Sequence, residues 1–174
     1  GWHIECSAMA RKYLGHGFDI HGGGTDLVFP HHENEVAQAE AAYGPPFARY
    51  WLHNGMVNLG GEKMAKSTGL VVGLLGALEQ YPPRAIRLFY LRTHYRRPVD
   101  FTDEAMEDAV ASLERLWAFR RRGPALPEDG AEPEVLDRFQ EFMDEDFDTA
   151  GGLSVLFEVV REGNTRLDAG EAVD

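Results

Sequence analysis

Cysteine is almost missing from this 174-residue chain: Cys6 stands alone. No internal disulfide can form, and a reducing compartment is the expected home. Lysine is nearly as scarce, at Lys12, Lys63 and Lys66 only. No apolar run approaches the roughly 20 residues that span a bilayer, and no basic-then-apolar leader opens the chain. A membrane or secretory role is therefore set aside, and a cytoplasmic location is expected. Repeats and low-complexity tracts are also absent. What remains is 44% hydrophobic and 26% charged residues, the mixture of a globular protein with room for one domain or two small ones. The opening Gly1-Trp2-His3 reads as the interior of a longer protein.

The net charge of −12 argues against non-specific nucleic-acid binding, although a local basic face stays open. Its distribution is uneven. Residues 1–100 carry 10 Lys and Arg against 9 Asp and Glu, whereas residues 101–174 carry 7 against 20. All seven histidines fall at or before His94. Chemistry is expected in the first part and an acidic, helical scaffold in the second.

Hydrophobic spacing places a short helix over Ser7–Leu14 closed by Gly15, a strand over Phe18–His21, and a helix over His31–Tyr43 ended by Gly44-Pro45-Pro46. Tyr50–Leu59 has strand character before the Gly60-Gly61 turn, and Glu62–Gly69 reads as a loop. Beyond Pro82-Pro83, which suits a helix start, the pattern turns helical. Expected buried stripes are Ile86, Phe89 and Tyr90; then Met106, Val110, Leu113 and Trp117 behind a Thr102 cap; then Leu136, Phe139 and Phe142 or Met143; and finally Leu153, Leu156, Val160 and Leu167. The Pro, Gly and acid-rich stretch Gly123–Pro133 is the clearest linker. The fold class expected is α/β followed by an α-helical bundle.

Four groups of residues could carry chemistry. Cys6, His31, His32 and Glu35 offer thiolate, imidazole and carboxylate donors that suit zinc, with His31 and Glu35 on one helix face if helical. An exposed His–Glu pair and a small buried cysteine are the plain alternative. His21-Gly22-Gly23-Gly24-Thr25-Asp26 could bring backbone close to a ligand, with a carboxylate for sugar hydroxyls, or be an ordinary glycine loop. Glu62–Gly69 holds two of the three lysines and could close on a polyphosphate, or be a solvated loop. Arg84, Arg87, Arg92, Arg96 and Arg97 could meet RNA or pair with the acidic second half.

Taken together, Gly1-Trp2-His3-Ile4-Glu5-Cys6-Ser7-Ala8-Met9, Phe18–Leu27 and Phe29-Pro30-His31-His32-Glu33-Asn34-Glu35 resemble the cysteinyl-tRNA synthetases. Glu62–Gly69 resembles their KMSKS loop, and Tyr95–Phe101 and Phe142–Thr149 extend the likeness over essentially the whole chain. The resemblance implies a class I aminoacyl-tRNA synthetase. Residues 1–80 would be the second half of a Rossmann-like core, 81–123 a helical stem-contact region, and 124–174 the start of a helical anticodon-side domain. It implies zinc held by Cys6, His31 and Glu35, with His32 outside the ligand set. Lys66 and Lys63 would meet the phosphates of ATP, used with Mg2+. Gly24 and Asp26 would hold the adenosine ribose, and Trp2 and His21 would line the cysteine pocket. The implied partners are tRNA(Cys), L-cysteine and ATP, with no membrane and a monomeric state.

The family's HIGH signature and its amino-terminal zinc cysteine do not occur in these residues, Ala65 stands for the first Ser of the loop, and Leu70 for the Asn after its Gly. Two rivals stay open. One is the ligase of mycothiol biosynthesis that joins cysteine to glucosaminyl-inositol. The other is a non-catalytic paralogue binding metal or RNA. These 174 residues alone are expected to make no cysteinyl-adenylate; measurable cysteine-dependent ATP–pyrophosphate exchange by them would overturn that expectation.

Overall fold

The computed structural model describes residues 1–60, 73–123 and 132–171, and residues 62–63 in their backbone. By their backbone contacts these form two units, Gly1–Met56 with Arg96–Pro98, and Val57–Tyr95 with Val99 onward. No helix among the described residues is long and apolar enough to cross a membrane.

The first unit is built around two parallel strands. Helix α1 (His3–Leu14) ends at Gly15, whose φ of +87° takes the chain out of the helix as a side-chain-bearing residue rarely would. Strand β1 (Phe18–Gly24) runs through the glycine triplet expected to follow it. A wide turn over Val28–His32, with Phe29 extended at its centre, leads into α2 (Glu33–Tyr43). The helix therefore starts later than the apolar spacing suggests, and both histidines stand in the turn before it. Strand β2 (Ala48–Asn54) returns parallel to β1, setting His21 against Trp51 and Gly23 against His53. The core here is small: Ala39, Phe47 and Ala48, with Ala10, Phe18, Val36 and Trp51 packed on them. The strand-like stretch Tyr50–Leu59 is in fact broken at Gly55. A Cβ there would lie 2.2 Å from the Arg97 carbonyl, so only glycine fits.

The second unit begins with β3 (Val57–Leu59), paired antiparallel with β4 (Glu62–Lys63) and parallel with β5 (Val99–Asp100). The hairpin turns through Gly60 at φ +59°. Helices α3 (Leu74–Gln80), α4 (Pro83–Leu91) and α5 (Asp103–Arg122) follow. Thr102 caps α5, its hydroxyl oxygen accepting from the Ala105 N–H. The core joins Ala77, Ile86, Phe89, Met106 and Ala109. Tyr90, expected inside, is 45% exposed, and Leu88 is buried in its place. On α5 the buried face runs Met106, Ala109, Ser112. Val110, Leu113 and Trp117 lie only partly covered at its flank. Arg84 stacks over Trp117 at 4.9 Å, so this arginine covers an aromatic face.

Helices α6 (Pro133–Asp144) and α7 (Thr149–Asp168) form an antiparallel hairpin. Phe139 and Phe142 lean onto Gly152 and Gly151, where a Cβ would sit 2.9 and 2.1 Å from their rings. On α7 the buried residues are Gly152, Val155, Val160 and Gly163, while Leu156, expected in the stripe, is 42% exposed. The connecting turn places Asp146 and Phe147 at φ +53° and +57°, which costs a residue with a Cβ about 1–2 kcal/mol. The Tyr95 hydroxyl donates to Asp146 at 2.7 Å, and the Asp148 carboxylate caps α7 by accepting from the Gly151 N–H.

Met106 is fully buried. Met106→Ala is expected to destabilise the protein by roughly 2–5 kcal/mol, read from urea unfolding, whereas Leu156→Ala should change stability by well under half of that.

Candidate metal centre

Three elements of the first unit bring the donors together. Cys6 comes from the first turn of α1, His31 from the turn before α2, and Glu35 from the first turn of α2. One ligand atom from each lies within 4.8 Å of the others. Helix α1 packs on α2, and Ser7 and Gln38 help tie them. The Ser7 hydroxyl donates to the His3 carbonyl at 3.0 Å, and Gln38 Nε2 lies 2.9 Å from His3 Nδ1. Neither Ser7 nor Gln38 was legible as part of the site.

Glu35 decides the chemistry. Its side chain is 1% exposed, yet neither carboxylate oxygen receives a directed hydrogen bond among the described residues. Oε1 lies 2.8 Å from His31 Nε2 and Oε2 lies 2.6 Å from His21 Nε2. His31 Nε2 already accepts the Trp2 indole N–H at 2.9 Å, so its lone pair points outward and it has no proton to offer the carboxylate. Glu35 Oε1 thus approaches a nitrogen that is itself an acceptor, its lone pair taken by Trp2. A cation resolves such an arrangement, and leaving it uncompensated costs several kcal/mol. The donor set, sulfur with nitrogen and oxygen, suits zinc. Burial, and next the negative charge of Glu35, pushes the Cys6 thiol above its usual range, so Cys6 does not behave as a free reactive thiolate. A coordinated cation would reverse that preference.

Further histidines pack behind these donors. His21 sits among the rings of Phe18, Phe47 and Trp51 at 5.7, 5.4 and 4.9 Å. His32 is 4% exposed, with Nδ1 2.8 Å from His53 Nε2. Burial and the neighbouring histidines lower its pKa, keeping it neutral. His53 carried no sequence signal, being a lone histidine on β2 that reaches the group only through the β1–β2 register.

The other expected residues are placed less tightly. Trp2 precedes α1 and is 62% exposed. Gly24 ends β1, where a Cβ would lie 2.4 Å from Asp26 Oδ1 and turn that exposed carboxylate aside. Asp26 follows in a single helical turn at the surface. Lys63 has its backbone in β4 of the second unit. Lys66, Ala65, Leu70 and most of the Gly123–Pro133 stretch lie outside the described residues.

Residues 1–111 match the family model described as the tRNA synthetases class I (C) catalytic domain. The chain belongs to the class I tRNA synthetases. Residues 138–174 match a second model, the DALR domain. Among curated proteins, this synthetase chain is 51% identical to a cysteine–tRNA ligase of Pelobacter propionicus, over 94% of its own length. It is 50% identical to one of Geobacter sulfurreducens, over 98%. It spans 38% of the length of each. Among solved structures it resembles the LeuRS of Agrobacterium radiobacter K84, from a ternary complex with tRNA and LeuAMS, with a TM-score of 0.65 over 85% of this chain and 23% of that one. At 18% identity that likeness concerns the fold alone.

If Glu35 is a ligand, Glu35→Gln should act in two directions at once. The metal-free protein should become more stable, by about 1–3 kcal/mol for relieving the uncompensated carboxylate, as read by thermal melting. Zinc should in turn no longer raise its melting temperature.

Proposed function

We propose that this chain is part of a cysteine–tRNA ligase that activates L-cysteine with ATP and transfers it to tRNA(Cys). The single observation that carries the reading is the convergence of Cys6, His31 and the buried, donor-less Glu35 within 4.8 Å. The 50–51% identity to proteins named as such ligases supports it. So does the DALR match, since the amino-sugar ligase considered above has no anticodon-side helical domain for those residues to belong to.

Cys6, His31 and Glu35 would hold the zinc. When bound, zinc supplies a soft cation that takes a thiolate far better than an alcohol, which is how cysteine would be told from serine. The residues of the chain do the rest. Trp2, hydrogen-bonded to His31, and His21, held among three aromatic rings, would shape the pocket around the amino acid and fix its carboxylate. A cysteine carboxylate oxygen then attacks the α-phosphorus of ATP and pyrophosphate leaves. Lys66 and Lys63 would neutralise charge on the leaving phosphates, with Mg2+ accompanying the nucleotide. Gly24, which leaves no bulk at the end of β1, and Asp26 would hold the adenosine ribose. Attack of the tRNA 3′-terminal hydroxyl on the adenylate carbonyl, with AMP leaving, completes the transfer. Residues 1–80 would supply the second half of the catalytic core, 81–123 the stem-contact helices and 124–174 the start of the anticodon-side domain. ATP, tRNA(Cys) and cytoplasmic location belong to this reading, as does a monomeric state.

The test uses the full-length ligase. Lys66→Ala should lower the rate of cysteine-dependent ATP–pyrophosphate exchange by about 10²–10³-fold with bound zinc unchanged. Cys6→Ala should lose zinc, measured by elemental analysis, and with it the preference for cysteine over serine. A Cys6→Ala protein that keeps full zinc and full selectivity would sink the assignment of this site.

A further inference from the structure

Glu35 has two buried oxygens, and the arrangement around each differs. Oε1 faces His31, which with Cys6 and Glu35 makes the first triad, whereas Oε2 faces His21. His21, His32 and Glu35 themselves form a second triad whose ligand atoms all lie within 4.8 Å of one another, and it contains no sulfur. His32 is buried, and its Nδ1 is engaged by His53 at 2.8 Å. That is the kind of outer hydrogen bond that fixes the ring of a metal-bound histidine and leaves Nε2 to coordinate. Trp51 stacks on His53 with an interplanar angle of 15° and packs edge-on against His21, so both imidazoles are held from behind. Two imidazoles and a carboxylate, with open coordination positions for water, suit zinc or cobalt.

We propose that Glu35 bridges two cation positions, and that His21, His32 and Glu35 Oε2 form a second, weaker zinc position beside the first. It rests on the reading above in sharing Glu35, and its effect on cysteine rests on the place of His21 in the amino-acid pocket. Two cations around one carboxylate repel each other, so the second position fills only in metal excess. Because His21 is also the residue assigned to the amino-acid pocket, filling it excludes cysteine. Zinc excess then acts as an inhibitor competitive with cysteine.

Cobalt(II) is the probe, titrated into the metal-free, untagged full-length protein and followed by absorption. The first equivalent should bring d–d bands together with the near-ultraviolet charge-transfer band of a cobalt–thiolate bond. The second should add d–d absorption with no further thiolate band. His53→Gln, which removes the outer partner without touching a ligand, should weaken the second step by about 10–100-fold and leave the first unchanged. It should also relieve inhibition by excess zinc, read as a smaller rise in the apparent KM for cysteine. Cys6→Ser separates the two readings: it should abolish the thiolate band while the sulfur-free step persists. Saturation at one equivalent in the wild-type protein would overturn the proposal, as would a second step that carries a thiolate band or is indifferent to both His32→Ala and His53→Gln. Absence of any thiolate band in the wild type would overturn the Cys6 assignment instead, with the sulfur-free step still deciding this one.

Discussion

A carboxylate taken out of water with no donor directed at it is the constraint on which the first unit depends. Glu35 sits on the first turn of α2, 1% exposed, with imidazole nitrogens of His31 and His21 at 2.8 and 2.6 Å from its two oxygens and the Cys6 thiol beside it. The Trp2 indole occupies the nitrogen of His31 that would otherwise be free to turn away. Ser7, Gln38 and His3 tie α1 to α2 at the depth where Cys6 comes within reach. The unit has only a thin apolar core, Ala39, Phe47 and Ala48 with their neighbours. A polar cluster that is unsatisfied on its own therefore lies beside little hydrophobic burial. The arrangement makes sense when the cluster is completed by a cation, because metal binding then contributes directly to holding α1, the Val28–His32 turn and α2 together.

The glycines of β1 belong to the same logic. Gly23 pairs with His53 across the strands, and a Cβ on it would come within 3.0 Å of the His32 ring. The glycine triplet thus does something different from cradling a ligand with a flexible loop. It lets a regular strand lie flat against a buried histidine. Gly24 is where the strand gives way to the turn carrying Asp26.

Much of this was legible beforehand, and the misses have physical causes. Cys6, His31 and Glu35 stand out because thiol, imidazole and carboxylate are rare together in a chain with one cysteine, and i, i+4 spacing brings the latter two near one another. His53 could not be found, since its membership depends on the parallel register of β1 and β2, which no local pattern encodes. The other helices were readable from periodicity and from Pro83 and Thr102, whereas α3 (Leu74–Gln80), with exposed Leu74 and Leu75 and no polar cap, went unread. The buried faces were harder to read. On α5 and α7 the small residues Ala109, Ser112, Gly152 and Gly163 are buried beside Met106, Val155 and Val160, and Val110, Leu113 and Leu156 lie at the flank. A hydrophobicity pattern assigns the interface to the largest apolar residue, but helices that pack closely put the smallest one there.

The turn between α6 and α7 has a consequence for how the second unit holds together. Asp146 and Phe147 both occupy left-handed backbone conformations that an unfolded chain visits seldom. Helix α7 cannot simply continue the winding of α6; two consecutive residues must cross to the far side of the backbone map before Phe139 and Phe142 can settle on Gly152 and Gly151. The crossing is held by the turn's own backbone bonds, Phe147 N–H to the Met143 carbonyl and Asp148 N–H to the Phe142 carbonyl, and from outside by the Tyr95 hydroxyl. The closed hairpin is thereby tied to a segment some fifty positions earlier, so a change at Tyr95 reaches the α6–α7 turn without touching either helix.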